Sequence, residues 1–434
     1  MKFKPLLYFL LLLSACTSME NAELTERATF IKTYSGIRGI EAAAAEITPD
    51  GFIVLGNMTI ARDSVLTVVF KTDKRGNRTT PIHYYQGGSG NAIKALPNNQ
   101  GYLIVGERIK TNPTAEPTDN VDIYSARMLH ISNDLDSLKT WYLEDTNPNP
   151  TDPKVDYKGI TLTISPDQKI LILGTYQESI LSPIRPYIQR YSSDLETLEW
   201  YDKFDLIDRS YRNTKSMHYV NGNIIWGSSI AAEQQNFDFS YVTIPFVQDG
   251  STFINNSFFG QDVAEQSLRV NDIKPFFTPG LGFGIIGSRA DSNGDNANIF
   301  FLSTTLNGNI NPNSVRYFDV VLSSSNQTIT ETSSETQDYG TALTSTFDNG
   351  FVLAGHFVTT TTQVGNGLND IVLIKIDQFG NSQWLKTIGG TGSETVSSIT
   401  ELEDKSILIC GTNLVGGIPS IFLIRTDQNG ELKN

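Results

Sequence analysis

The chain has 434 residues, 39% hydrophobic and 18% charged, with 35 Gly and 17 Pro, a composition that excludes a disordered or fibrous chain. Lys and Arg number 33 against 47 Asp and Glu, a formal charge of −14, which argues against nucleic acid and against electrostatic docking on anionic lipid. Two cysteines exclude a disulfide-rich scaffold, and His83, His130, His218 and His356 show no metal-ligand spacing, so neither a metal nor a cofactor is expected.

The chain opens with a positive segment, Lys2 and Lys4, then a short apolar run from Pro5 to Leu13. That run is too short to span a bilayer, which needs roughly 20 residues, and its layout is that of a secretory signal. Leu13-Ser14-Ala15-Cys16 then looks like a bacterial lipobox. The expectation is a signal peptide over 1–15, a lipidated Cys16 with a polar tether over 16–27, and anchoring by lipid alone. Glu20, Glu23 and Glu26 in the tether fit either a surface-export signal or a solvated linker. Cys410 lies within the apolar stretch Ile407–Gly411 and is expected to be a buried, inert thiol.

From residue 28 onward the chain repeats. An apolar stretch closing on glycine recurs at Gly56, Gly106, Gly174, Gly227, Gly287, Gly355 and Gly411. Turn residues precede each copy, such as Asp50-Gly51, Asn221-Gly222 and Asp348-Asn349-Gly350, and these are hairpin signals. Further apolar strands follow each glycine. One ends in a polar turn, as at Asp73-Lys74-Arg75-Gly76-Asn77, and the last often carries an aromatic, as at Trp141, Trp200 and Trp384. Four short strands per unit, with no helical period, predict an all-β fold: a single β-propeller over 28–434 with seven four-stranded blades. The last unit stops before its outer strand, and Phe30–Gly36 lines up with Trp384–Gly390 of the sixth unit. The N-terminal strand is therefore expected to close the ring.

The unit Asp348–Gly355, Asn369–Asn381 and Trp384–Gly390 resembles the propeller repeats common in secreted and lipid-anchored proteins of Bacteroidota. The match is close in units six and seven and fair in unit one, while units two to five depart from the pattern. The resemblance implies fold and envelope location, not function.

No catalytic constellation stands out. Asp377-Gln378-Phe379-Gly380 with Trp384 is near the sialidase box but misspaced, and reads as a turn with a packing tryptophan. The acids fall mostly in turns, where Asx geometry accounts for them. Asp291-Ser292-Asn293-Gly294-Asp295 spaces its acids as calcium loops do, but lacks their glycine and closing Glu. Binding residues in propellers concentrate on connecting loops, and here the loops leading into each first strand hold Arg38, Tyr157, Lys158, Tyr211, Arg212, Arg269 and Tyr339. Clustered cations and tyrosines suit an anionic or polyhydroxylated ligand, or a carboxylate-rich protein surface.

The leading expectation is a non-catalytic, lipid-anchored scaffolding subunit that binds an outer-membrane or other envelope protein, with the cell surface favoured over the periplasmic face. The alternative is a surface glycan-binding lipoprotein of a nutrient-uptake system, which predicts Tyr157, Tyr211 and Tyr339 exposed together. A propeller hydrolase or lyase is the third reading, and it predicts a carboxylate or Tyr/His cluster inside the channel.

Overall fold

The computed structural model describes residues 29–111, 122–144, 155–179, 182–204, 210–234, 237–248, 253–259, 266–291, 297–322, 327–330, 337–358 and 368–433. The expected signal peptide, Cys16 and the tether lie outside the described residues, as do residues 112–121 and 292–296. Among the described residues the all-β class holds: apart from a 3-10 turn at Pro97–Asn99, every regular element is a strand.

Strand β1 (Phe30–Tyr34) comes first, and antiparallel sets of strands follow in chain order. The first set holds β2 (Glu41–Thr48), β3 (Gly51–Ala61), β4 (Ser64–Asp73) and β5 (His83–Tyr85). The second holds β6 (Ala92–Ala95), β7 (Tyr102–Thr111), β8 (Asp122–Ile131) and β9 (Ser137–Leu143). The third holds β10 (Asp156–Ile164), β11 (Ile170–Gln177), β12 (Arg185–Tyr191) and β13 (Leu198–Lys203). The fourth holds β14 (Tyr211–Val220), β15 (Asn223–Gln234), β16 (Phe237–Gln248) and β17 (Phe253–Phe259). The fifth holds β18 (Gln266–Pro275), β19 (Phe283–Asp291), β20 (Asn298–Thr304) and β21 (Ile310–Leu322), with an added β22 (Gln327–Thr330). The sixth holds β23 (Gln337–Ser345), β24 (Phe351–Val358), β25 (Asn369–Ile376) and β26 (Ser382–Ile388). The last holds β27 (Ser393–Glu401), β28 (Ile407–Val415) and β29 (Ile418–Thr426), and β1 supplies its outer strand.

Two features depart from seven separate four-stranded sheets. The fifth set has five strands, and a parallel bridge between Asn369 and Ser393 joins the sixth and last sets into one continuous sheet. Strand β1 pairs antiparallel with β29, from Phe30 opposite Arg425 to Tyr34 opposite Ile421. The Thr29 hydroxyl secures that end, donating to the Lys433 carbonyl at 2.9 Å and accepting its N–H at 3.1 Å.

The apolar core is divided among the interfaces between successive sets. Phe276, Phe301, Leu353 and Ile374 fill the space between the fifth and sixth, and Ala354, Leu373, Ile409 and Phe422 that between the sixth and last. Phe52, Val54 and Phe70 of the first set pack against Cys410, Ile421 and Leu423 of the last. Each fully buried large side chain of this kind contributes about 1.5–3 kcal/mol, so every set depends on its neighbours. Cys410 is 1% exposed in this cluster, as its apolar surroundings in the sequence predict.

The repeating glycine has a steric cause. A Cβ at Gly355 would sit 2.0 Å from the Tyr339 carbonyl oxygen, at Gly287 2.0 Å from that of Arg269, and at Gly411 2.1 Å from that of Thr395. In each case the second strand passes the first where only a hydrogen fits. Just beyond, the first strand bulges. Val270 faces Gly287 and Asp272 faces Ile286, leaving Asn271 unpaired, and Thr341 and Ser397 are left out in the same way.

Between third and fourth strands, Asp377 accepts the backbone N–H of Phe379 and Asn381 on one oxygen and the Asn381 amide on the other. Asp73 repeats this with Arg75 and Asn77. Trp384 is half-buried beside the next set, where a Cβ at Gly430 would come within 2.9 Å of its ring. The segment is a turn followed by a packing tryptophan.

Candidate central-channel site

The first strands of consecutive sets lie side by side: β2 against β6, then β10, β14, β18, β23 and β27, with β27 against β2. Their bulges bind one set to the next. The Asn91 amide donates to the Gly159 carbonyl at 2.8 Å, and the Ser397 hydroxyl to the Ala42 carbonyl at 2.9 Å. One residue further, Ser398 accepts the Ala45 N–H at 3.1 Å, Asp272 that of Leu343 at 3.2 Å, and Ser216 that of Ile273 at 3.3 Å.

Six of these strands line a cavity of about 200 Å³. Its walls combine small residues, Ala43 to Ala45 and Ser397 to Ser398, with Glu46, Lys94, Lys215, His218, Asp272 and Lys274. Glu46 pairs with Lys94. Asp272, 5% exposed, accepts the Ser216 hydroxyl and the Leu343 N–H, and lies 3.8 Å from the Lys274 ammonium. Both cavity carboxylates are thus engaged by protein groups. The His218 Nε2 donates to the Ile273 carbonyl at 2.7 Å. Burial, then the charge of Lys274, pulls its pKa down to about 3, so it is neutral at physiological pH.

Lys215 differs from the other cavity cations. It stands in the bulge of β14, is reachable from the channel, and makes no ion pair among the described residues. Its side chain is exposed to the cavity; desolvation by the surrounding strands lowers its pKa, with Asp272 opposing. Its charge also reaches His356 on β24, whose pKa falls to about 4, through burial first and Lys215 second. His356 stacks on Tyr339, directly across the β23–β24 pair, at 5.1 Å and 24°. Its Nδ1 is buried and has no hydrogen-bond partner among the described residues. The Tyr339 hydroxyl donates to Gln337 at 2.8 Å. Tyr339 and His356 form a stacked pair within the sixth set, and neither is among the residues that line the cavity.

Of the expected loop residues, Tyr157, Lys158, Tyr211, Arg212, Arg269 and Tyr339 fall within the first four residues of first strands, and Arg38 lies three residues before β2. Arg38, Arg212 and Arg269 are exposed and make no ion pair among the described residues. The Lys158 ammonium lies 3.6 Å from the centre of the Tyr124 ring. The tyrosines do not form an exposed platform. Tyr157 is 8% exposed, packed among Tyr176 and Tyr187, and Tyr211 is 1% exposed. Strand alternation explains this: both fall on the side of their strands that packs between sets, while Lys158 and Arg212 fall on the other. Lys215 and His356 were not singled out from the sequence. A lysine inside a strand that otherwise alternates was the available signal for the first, and a histidine following the repeat glycine for the second.

No protein-family model matches the chain, and no curated protein matches it. Several solved structures do. Polysaccharide lyase Uly1 has a TM-score of 0.47 at 10% identity, over 95% of this chain and 94% of its own. The β-propeller domain of the Trilobed protease from Pyrococcus furiosus has 0.44 at 8%, over 92% and 96%. A Trypanosoma rangeli sialidase has 0.43 at 8%, over 93% of this chain and 58% of its own. With a polysaccharide lyase and a sialidase among these neighbours, the expectation of a non-catalytic scaffolding subunit is corrected and not retained. At such identities the likeness goes no further than architecture, and the conclusion is that this chain has an all-β propeller fold.

Proposed function

We propose that the protein binds a small organic anion bearing a carboxylate in its central channel, with Lys215 as the counter-charge. The observation that carries this reading is an ammonium with no ion-pair partner among the described residues, standing in a cavity whose carboxylates are already engaged. Arg212 and Arg269 at the mouth add cations that draw an anion inward, in a chain of charge −14. Size narrows the class. About 200 Å³ is roughly seven water volumes at about 30 Å³ each, below the ~300 Å³ at which drug-sized pockets begin. A monosaccharide acid fits this description; an oligosaccharide buried along its length does not.

The test is calorimetric titration of methyl glucuronoside into the wild type and Lys215→Met. A charged hydrogen bond contributes about 1.5–3 kcal/mol, so the variant loses roughly 10- to 150-fold in affinity. Equal affinity in the two proteins refutes the reading.

The ring is proposed to be a single seven-bladed one closed by β1. Its support is the contact of β27 with β2 and the apolar cluster shared by first and last sets. Anchoring through a lipidated Cys16, at an outer membrane, is proposed on the Leu13-Ser14-Ala15-Cys16 sequence.

A further inference from the structure

We propose that a cleft between the first and last sets is a second subsite, so that the ligand is a disaccharide, a uronic acid in the channel joined to a neutral sugar in the cleft. The inference rests on the anion reading above and extends its ligand by one residue. The cleft holds about 290 Å³ and adjoins the channel cavity, Ser397 lining both. It lies toward the end where first strands begin. Along β2, Glu41 and Ala42 line the cleft, and Ala43 to Glu46 line the cavity. Along β27, Ser393, Thr395 and Ser397 line the cleft, and Ser397 to Thr400 line the cavity.

The order of strands connects the two spaces. In the succession of contacting first strands, β14 stands three places from β2 and three from β27. Lys215 therefore comes from the side of the cavity opposite Ala43 to Ala45, Ser397 and Ser398. Small residues on that side leave room for a sugar whose carboxylate meets Lys215 and whose other end points to the cleft. Only the acid is then enclosed, which keeps to the volume limit above.

The two spaces differ in charge. Among the described residues that line the cleft, Glu41 alone is charged, and it is exposed with no ion pair. The Thr412 hydroxyl accepts the Ala42 N–H at 2.8 Å, and the Ser393 hydroxyl accepts the Asn369 amide at 2.8 Å. Each keeps a proton to donate. Thr395 adds a third hydroxyl, and Leu414 and Pro419 an apolar edge. Donors, a carboxylate acceptor and an apolar edge suit the hydroxyls and C–H face of a neutral sugar. A second carboxylate there would face Glu41. Lys215 attracts an acid and Glu41 repels one, so the pair selects a uronic acid linked to a neutral sugar over two linked uronic acids.

The experiment titrates methyl glucuronoside, glucuronosyl-glucose and glucuronosyl-glucuronic acid calorimetrically into wild type, Glu41→Gln and Thr395→Val. Each disaccharide affinity is read as a ratio to the methyl glucuronoside affinity of the same protein, so a loss of folded protein does not enter. In the wild type, glucuronosyl-glucose is expected to bind roughly 5- to 10-fold tighter than methyl glucuronoside, the scale of one added neutral hydrogen bond, and Thr395→Val to lower that ratio about threefold. The diacid is expected to bind roughly three- to fivefold more weakly than glucuronosyl-glucose, and Glu41→Gln to bring the two within about twofold, the scale of an exposed charge pair. Binding of methyl glucuronoside with no gain from the added glucose overturns the second subsite alone. A wild type indifferent between the two disaccharides, or a Glu41→Gln that keeps the preference, overturns it too. Absence of binding of all three ligands by the wild type overturns the anion reading and this inference with it.

Discussion

Asp272 fastens three consecutive first strands, and replacing it measures how much the channel wall contributes to stability. Its carboxylate accepts the Ser216 hydroxyl from β14, the Ile273 N–H of its own strand at 3.0 Å, and the Leu343 N–H from β23 at 3.2 Å. In Asp272→Ala the Ser216 hydroxyl keeps the Ile273 carbonyl at 2.6 Å, and the Ile273 N–H keeps Ser216 at 3.3 Å. The buried Leu343 N–H loses the acceptor it has here, at a cost of about 1–3 kcal/mol. Lys274 and Lys215 lose the carboxylate between them, which brings the total to about 2–4 kcal/mol. With an unfolding entropy near 2.1 cal/mol/K per residue, a chain of this length loses roughly 2–5 °C in Tm. Asp272→Asn is the control. Its amide oxygen can take the Leu343 N–H while its NH2 donates to Ser216, so less than half the loss is expected. The assay is differential scanning calorimetry at pH 7 and fixed scan rate. An Ala variant within 0.5 °C of wild type, or an Asn variant as damaged as Ala, refutes the reasoning.

Gly355→Ala forces a Cβ to 2.0 Å from the Tyr339 carbonyl oxygen and is expected to cost about 1–3 kcal/mol through strand displacement, read as a lower urea midpoint. Cys410, whose thiol pKa burial pushes up to about 12, is expected to resist a thiol reagent at pH 8 in the native protein and to react fully in urea. The pH dependence has two windows. His218 is neutral in the fold down to about pH 3 but protonates in the unfolded chain near 6.5, so stability falls as pH drops between those values, and His218→Gln flattens that slope. In Asp377, burial works against the charged form, but hydrogen bonds from Asn381 and Phe379 prevail and lower its pKa. The stability it contributes is present above about pH 3.8 and lost below it, and Asn381→Ala shrinks that loss in acid titrations followed by tryptophan fluorescence.

The repeat was legible because three local rules coincide in it: turn residues, a short apolar run, and a glycine. The reason for the glycine was not legible. It depends on a carbonyl from the preceding strand, such as Tyr339 against Gly355, and no single segment encodes that approach. The positions of the loop cations along the chain follow the repeat: Lys158, Arg212 and Arg269 fall within the first four residues of their strands, and Arg38 three residues before β2. The tyrosines were misplaced because strands begin earlier than the turn signals imply: Tyr157 is already the second residue of β10, and Tyr211 the first of β14. Once inside a strand, alternation decides which side chain is buried. Lys215 was hidden for a different reason: it stands in the bulge of β14, where the alternation that places side chains is interrupted.

The pairing of β1 with β29 also sets an order of events during biosynthesis. Among the described residues the first strand joins the last, 395 residues downstream at the Phe30–Arg425 pair. Until the C-terminal strand emerges, Phe30–Tyr34 has no edge to join, and the last sheet stays open beside the first. Contacts this distant in sequence slow folding and leave edges exposed. A truncation that removes only β29 would leave β1 without a partner and one edge of β28 open.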